Sequence, residues 1–357
     1  MDVPKYVTVC GRVIFDNNET YLELGKLCYL FRKNLQKAVK MYAKGLSKNI
    51  IVKTVTREMN LGYADTVYKL AKFIVEGCKT DGGDPLKIRI KRMFLASRGF
   101  SSNKGNRNIR LVSTREVLVR TLNKKWLKLG VKFGRRYFAL IEELVRLALQ
   151  KKASYSARIV FRNGKAYLYV SVPTQLYLKY FKLGEARGKL VAGFDINSDR
   201  INMVIIDDNR KIRDVKNEHF HEVTSQGFPR DRAKYIRLNA ISRLLDYAYH
   251  HGVGYVCFEN LDAIKKRKFT KNKKANRKIT KFAKRQILSH AVIRAMRYGF
   301  KILFVNPKNS TKEAKKIYRK LGFDVHTASA YIIALRGLKI LKNNENFQNT
   351  LTTQMSE

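Results

Sequence analysis

Cysteine is scarce in this chain, and so is negative charge. Four cysteines (Cys10, Cys28, Cys78 and Cys257) are scattered over 357 residues with no CxxC pair among them. That spacing argues against a disulfide framework and a four-thiolate zinc site, and leaves reduced, mostly buried thiols. No apolar run is long enough for a membrane-spanning helix, and the N-terminus lacks the basic-then-apolar layout of a signal peptide. The expectation is a cytoplasmic, nucleoid-associated protein of a prokaryotic or viral host. Acidic residues number 28 against 74 Lys plus Arg, a formal net charge of +46. Such self-repulsion destabilises a compact state unless a polyanion neutralises it. Nucleic acid is the commonest such partner, through phosphate contacts and counterion release. An anionic membrane is the rival, but it needs a lipid anchor or an amphipathic terminal helix. MDVPK and TTQMSE offer neither. No membrane partner and no small-molecule substrate are expected.

What is present reads in two halves. Tyr6 to Phe15 is strand-like, closed by Asp16-Asn17-Asn18. Leu24, Leu27, Phe31, Leu35, Val39 and Tyr42 recur at helical spacing, with Gly45 where a C-terminal cap belongs. Lys33, Lys37, Lys40 and Lys44 form a separate stripe on that helix, either a solvated face or a phosphate-facing one. Residues 50 to 77 read as two helices broken at Asn60-Leu61-Gly62. Lys87 to about Arg120 looks irregular and basic, with Gly99 to Arg110 a flexible loop, and a helix follows over Arg135 to Lys151. Ala157 to Phe161 and Ala166 to Val172 make a hairpin around Asn163-Gly164, a pair suited to a type I′ turn. Residues 174 to 188 read as a linker. From Lys189 the pattern becomes that of an α/β domain: strands near 189–194, 201–206, 211–215, 255–258 and 301–305, and helices near 229–250, 282–297, 311–320 and 326–341.

Acidic residues stand at the ends of these elements. Asp195 follows the first strand of the second half, Glu259 follows Tyr255 to Phe258, and Asp324 opens the last helix. Taken singly, Asp195 is a turn former and Asp324 an N-cap. Glu259 is odder, because burying a carboxylate is costly unless it is paired or metal-bound. In an RNase H-like β-β-β-α-β arrangement these ends converge at one sheet edge. Carboxylates gathered there repel one another unless divalent cations sit between them. Two such ions about 4 Å apart can activate water and stabilise the leaving oxygen of a phosphodiester.

Residues 193 to 207 (GFDINSDRINMVIID) resemble the first RuvC motif, and Val256-Cys257-Phe258-Glu259-Asn260-Leu261 the second. Asp324-Val325-His326-Thr327-Ala328 resembles the third, commonly Asp-x-Asn-Ala-Ala. Val305-Asn306-Pro307 is similar to the strand before the zinc ribbon of TnpB proteins, the transposon-encoded nucleases that cut DNA under RNA guidance. The resemblance spans roughly residues 155 to 340. It implies an α/β RNase H-like (RuvC) nuclease domain over 186–342 and an N-terminal wedge-type β-barrel built from 1–20 and 155–185. It also implies a helical recognition insert over 21–154, while the polar composition of 343–357 (NNENFQNTLTTQMSE) reads as a disordered tail. Asp195, Glu259 and Asp324 would be the catalytic, metal-binding triad for Mg²⁺ or Mn²⁺, two ions. The implied partners are a guide RNA from the same locus and a double-stranded DNA target. The stretch from Asn306 to Asp324 has no cysteine, so zinc binding is not inherited. His326 stands where relatives often have Asn, and could bond a neighbouring ligand or serve as a cap or surface residue.

The densest basic run, 265 to 285 (KKRKFTKNKKANRKITKFAKR), is the candidate lid over the active site. Lys265, Lys266, Arg267, Lys268, Lys273, Lys274, Arg277, Lys278 and Arg285 are its candidate nucleic-acid contacts, and Phe269 a candidate stacking residue. Trp126 and the 99–110 loop belong near nucleic acid only by the family's analogy. Two other readings stay open: a guided DNA-binding protein or repressor without catalysis, and a guide-independent, structure-selective nuclease. Activity with Mg²⁺ separates the first, and a discrete bound RNA the second.

Overall fold

Strand β1 (Tyr6–Ile14) alternates buried and exposed residues along its length, so one face enters a core while the other stays wet. The computed structural model describes residues 3–261 and 281–354. They divide into two units, residues 5–180 and residues 181–357 with 1–4.

In the N-terminal unit, helix α1 (Asn18–Ala43) starts under an Asn17 cap that accepts the Thr20 N–H. It buries Leu24, Leu27, Phe31, Leu35 and Val39. Helices α2 (Lys48–Thr56) and α3 (Leu61–Thr80) pack beside it, and Asn60 caps α3 by accepting from Tyr63 N. Then come β2 (Phe94–Ser97), β3 (Ile109–Leu111), β4 (Glu116–Arg120), β5 (Trp126–Phe133), helix α4 (Phe138–Leu149), β6 (Ser156–Arg162) and β7 (Lys165–Pro173). All seven strands join one sheet in the order β2-β6-β7-β1-β5-β4-β3, every neighbouring pair antiparallel. The β6–β7 turn places Asn163 at φ 47° and Gly164 at φ 70°, as its sequence predicts.

Here the sequence reading needs correction. The span 21–154 is not a helical insert. Four of its segments are strands of the same sheet as β1, β6 and β7. Nor is 99–110 a free loop. Asn106 is fully buried, donating to the Ser97 and Tyr155 carbonyls and accepting from the Asn108 and Ile109 amides. Those four bonds supply what the segment lacks in apolar side chains. The linker at 174–188 begins with helix α5 (Thr174–Phe181).

The C-terminal unit carries β8 (Leu190–Ile196), β9 (Arg200–Ile206), β10 (Ile212–His219), helix α6 (Arg230–His250) and β11 (Val253–Glu259). Helix α7 (Lys281–Arg297), β12 (Lys301–Val305), α8 (Ser310–Ile317) and α9 (Val325–Gln354) complete it. The sheet order is β10-β9-β8-β11-β12, with β8–β9 and β9–β10 antiparallel and β8–β11 and β11–β12 parallel. This mixed order, three antiparallel strands followed by two parallel ones, is that of RNase H-like domains. Alternate strand residues feed two cores. Ala192, Phe194, Met203, Ile205 and Phe258 pack with α6 and α7 on one face. Val191, Val204, Ile206 and Cys257 pack with Ala330, Ile333 and Ala334 of α9 on the other.

Helix α9 lies very close to β8. A Cβ on Gly193 would fall 2.2 Å from the Ala330 carbonyl oxygen and 2.4 Å from the Ala334 nitrogen, so only glycine fits. A Cβ on Gly337 would likewise meet the Cys257 sulfur at 2.0 Å. The helix continues to Gln354, which corrects the expectation of a disordered tail from residue 343. Among the described residues no helix is long and apolar enough to cross a membrane.

Candidate active site

Asp195 is the penultimate residue of β8 and only 6 % exposed. Parallel pairing sets Phe258 of β11 against Phe194, so the next residue of each strand, Glu259 and Asp195, ends up side by side. The Phe194 and Phe258 rings pack against each other, tilted by 32° with centroids 5.1 Å apart. Burial pushes the Glu259 carboxyl above the usual carboxylate range, and the Asp195 charge pushes it further. A hydrogen bond from the Ser310 hydroxyl (2.7 Å) and the positive charges of Lys284 and Arg336 act against that rise.

Asp324 stands just before α9. Its Oδ1 accepts the backbone N–H of His326 (2.7 Å) and of Thr327 (3.2 Å), while its Oδ2 accepts the Thr327 hydroxyl at 2.5 Å. Burial raises its carboxyl, but these bonds together outweigh it and hold Asp324 below the ordinary range. Thr327 is itself fixed. Its oxygen accepts from Asn202 (3.0 Å) and Asn217 (3.1 Å), the former being the cross-strand partner of Asp195. His326 links the two aspartates, its backbone bonded to Asp324 and its Nδ1 3.0 Å from Asp195 Oδ2. Asn197 donates to that same carboxylate oxygen at 2.8 Å.

Asp195 and Glu259 are thus brought together, and Asp324 sits one hydrogen-bonded residue away. Among the described residues no three His, Cys, Asp or Glu side chains are grouped as a metal ion needs. The donor chemistry of the Asp195–Glu259 pair does fit a divalent cation: hard oxygen ligands whose mutual repulsion a cation relieves. Asn202 Oδ1, fully buried one strand from Asp195, has no partner among the described residues. In the present arrangement Asp324 spends its oxygens on capping.

Sequence reasoning missed Ser310, Asn202, Asn217 and Thr327. The signal for Asn202 was available, a polar residue inside the apolar run Ile201 to Ile206. Ser310 had none, because its role depends on where α8 begins. The cationic candidates separate. Lys33, Lys37, Lys40 and Lys44 are all exposed, with Lys33 paired to Glu58 at 3.3 Å. Arg285 is exposed on α7. Lys265, Lys266, Arg267, Lys268, Phe269, Lys273, Lys274, Arg277 and Lys278, and most of the lid with them, lie outside the described residues. The Trp126 ring is covered by Arg110 and Arg120, whose guanidinium carbons lie 4.5 and 5.5 Å from its centroid.

Strand order and strand-end acids define a protein with an RNase H-like domain and a carboxylate centre at the sheet edge. The chain belongs to the SSO2105 family. It is 38 % identical over 354 residues to protein SSO2105 of Saccharolobus solfataricus, covering 96 % of this chain and 95 % of that one. A protein of Aeropyrum pernix is 28 % identical over 303 residues, covering 78 % of this chain and 80 % of its own. The family model of the SSO2105 N-terminal domain matches residues 6–182, nearly the span of the N-terminal unit. Among solved structures, the chain is similar to Thermus thermophilus RuvC in complex with a Holliday junction substrate. The identity is 17 %, the TM-score 0.31, and the match covers 41 % of this chain and 90 % of that one. A CRISPR-Cas12f ternary complex matches at 12 % identity and TM-score 0.31, covering 89 % and 81 %. Likeness at this level carries no functional weight, and the fold assignment rests on the strand order.

Proposed function

We propose that this chain is a metal-dependent nuclease of the RuvC type, hydrolysing phosphodiester bonds at Asp195, Glu259 and Asp324. The observation that carries the reading is the placement of Asp195 beside Glu259 at the ends of two adjacent parallel strands, in a chain of net charge +46. Two carboxylates crowded at a half-buried edge gain nothing for stability, and are best understood as a cation site. Asp195 and Glu259 would hold the ion, with Asp324 the third ligand. The chemistry a divalent cation supplies when bound there is to lower the pKa of a water and polarise a phosphodiester oxygen. The rest falls to the chain's own groups. His326 and Asn197 orient the Asp195 carboxylate, Ser310 orients Glu259, and Thr327 orients Asp324. Lys284 and Arg336 temper the negative charge an incoming phosphate would meet.

The finer form of the proposal is TnpB-type cleavage of double-stranded DNA directed by a guide RNA. The order and spacing of the three RuvC-like motifs support it. Purified protein with its bound RNA is expected to cut target DNA with Mg²⁺, and Asp195→Ala to abolish cutting while sparing binding. An Ala variant that cuts as well as wild type overturns the assignment. Sequencing the co-purified RNA tests guidance, since a guide-independent nuclease carries no discrete RNA. Binding without nicking in either Mg²⁺ or Mn²⁺ would instead favour a guided repressor.

A further inference from the structure

One stripe of α1 differs from the rest of that helix. Leu22, Tyr29 and, across from them, Leu122 are apolar yet 52, 49 and 38 % exposed. They line a cavity of about 790 Å³ whose floor is Tyr21 and Phe161, rings in edge contact at 5.5 Å. Tyr29 and Lys91 belong also to a second cavity, of about 530 Å³, so the two make one groove along the helix. The wall opposite α1 is held in place by Gln36. Its amide donates to the Ile88 carbonyl (2.9 Å) and accepts the Ile90 N–H (2.7 Å), so Arg89 and Lys91 project from a fixed backbone.

Every charged residue of the rim is a cation. Lys26, Lys91, Arg92 and Arg162 surround the first cavity, Arg32, Lys33 and Arg89 the second, and no carboxylate lines either. Among the described residues Lys26, Arg89, Lys91 and Arg92 have no ion-pair partner, whereas Lys33 is paired with Glu58. An amphipathic peptide would satisfy the apolar floor and leave the rim without counter-charge. A single strand of nucleic acid satisfies both, offering base faces to aromatic rings and phosphates to the cations.

We propose that this groove binds a single-stranded segment of nucleic acid, with an unstacked base against Tyr21 and Tyr29 and phosphates on Lys91, Arg92 and Arg32. The inference rests on the nucleic-acid reading above but concerns a surface of the N-terminal unit that cleavage chemistry does not use.

The test is fluorescence anisotropy of the full chain with labelled U20 RNA, dT20 DNA and a 20-base-pair duplex, in EDTA to prevent cutting. Tyr29→Ala should weaken single-strand binding by about tenfold, the usual loss for one stacked base. Tyr29→Phe should restore it, and duplex binding should not change. The pair Lys91→Glu and Arg92→Glu should flatten the single-strand salt dependence, by about 0.7 in log–log slope for each phosphate no longer neutralised. Whichever of U20 and dT20 responds to these changes identifies the strand. Wild-type single-strand binding that Tyr29→Ala and the charge reversals leave unaltered would overturn the groove and leave the nuclease reading intact. A wild-type chain that binds neither single strand nor duplex would overturn both.

Discussion

The imidazole of His326, on the first turn of α9, lies 3.0 Å from Oδ2 of Asp195, at the end of β8. A ring nitrogen against a carboxylate fixes the direction in which that carboxylate presents its free lone pairs. His326→Ala is therefore expected to lower cleavage 10- to 100-fold, the usual cost of losing such a partner, with nucleic-acid affinity unchanged. His326→Asn should recover most of the rate, because a carboxamide N–H can face the same oxygen. Equal rates for the Ala variant and wild type would show that His326 does not orient Asp195.

Glu259 carries a stability cost that the proposed cation site would explain. Its folded carboxyl titrates above the ordinary value of 4.5, so the fold prefers it protonated. The folded state binds the proton more readily, and stability falls as pH rises from the ordinary value through the raised one. Glu259→Gln should abolish cleavage yet raise Tm near pH 7, on the order of 2–4 °C for each kcal/mol recovered in a domain of this size. That gain should vanish below about pH 4.5. Added Mg²⁺ should raise the Tm of wild type, and EDTA reverse it, with little effect on the variant. A variant no more stable than wild type at neutral pH would contradict this.

Thr327 joins three elements through one hydroxyl, donating to Asp324 and accepting from Asn202 and Asn217. Thr327→Val keeps the shape and leaves two amides and a carboxylate short of partners. The expected cost is about 1–3 kcal/mol of stability, from the unsatisfied groups, together with slower cleavage. Thr327→Ser should behave as wild type in urea denaturation and in activity. Val and Ser variants of equal stability would show that the hydroxyl network does not hold Asp324.

Gly193→Ala tests how α9 is seated. The added methyl would meet backbone atoms of Ala330 and Ala334, which cannot swing aside as a side chain would. A loss of about 1–3 kcal/mol is expected, the range for overpacking, and cleavage should fall with it. An unchanged denaturation midpoint would mean the helix can shift without penalty.

Much of the C-terminal unit was legible because β8, β9 and β11 are short apolar runs closed by turn residues or by an acid. A carboxylate ending such a run is conspicuous, which is how Asp195 and Glu259 stood out. The strands of the N-terminal unit were less visible. β2 has four residues and β3 three, with arginines nearby, and Asn106 holds that region through bonds to residues as distant as Tyr155. Periodicity cannot reveal a strand whose edge is set by one buried amide. Within the site, Ser310 and Thr327 could not be read for a related reason. Each acts on a residue, or with partners, that only the tertiary fold brings near it.

The close seat of α9 has a consequence for the timing of activity. Gly193 and Gly337 let the helix settle onto the sheet, and that settling delivers Asp324 and His326 to Asp195. In a copy whose last helix has not docked, β8 and β11 can still set Asp195 beside Glu259, but Asp324 and His326 are missing from the site. For the cleavage proposed above, competence would then arise only once α9 has docked.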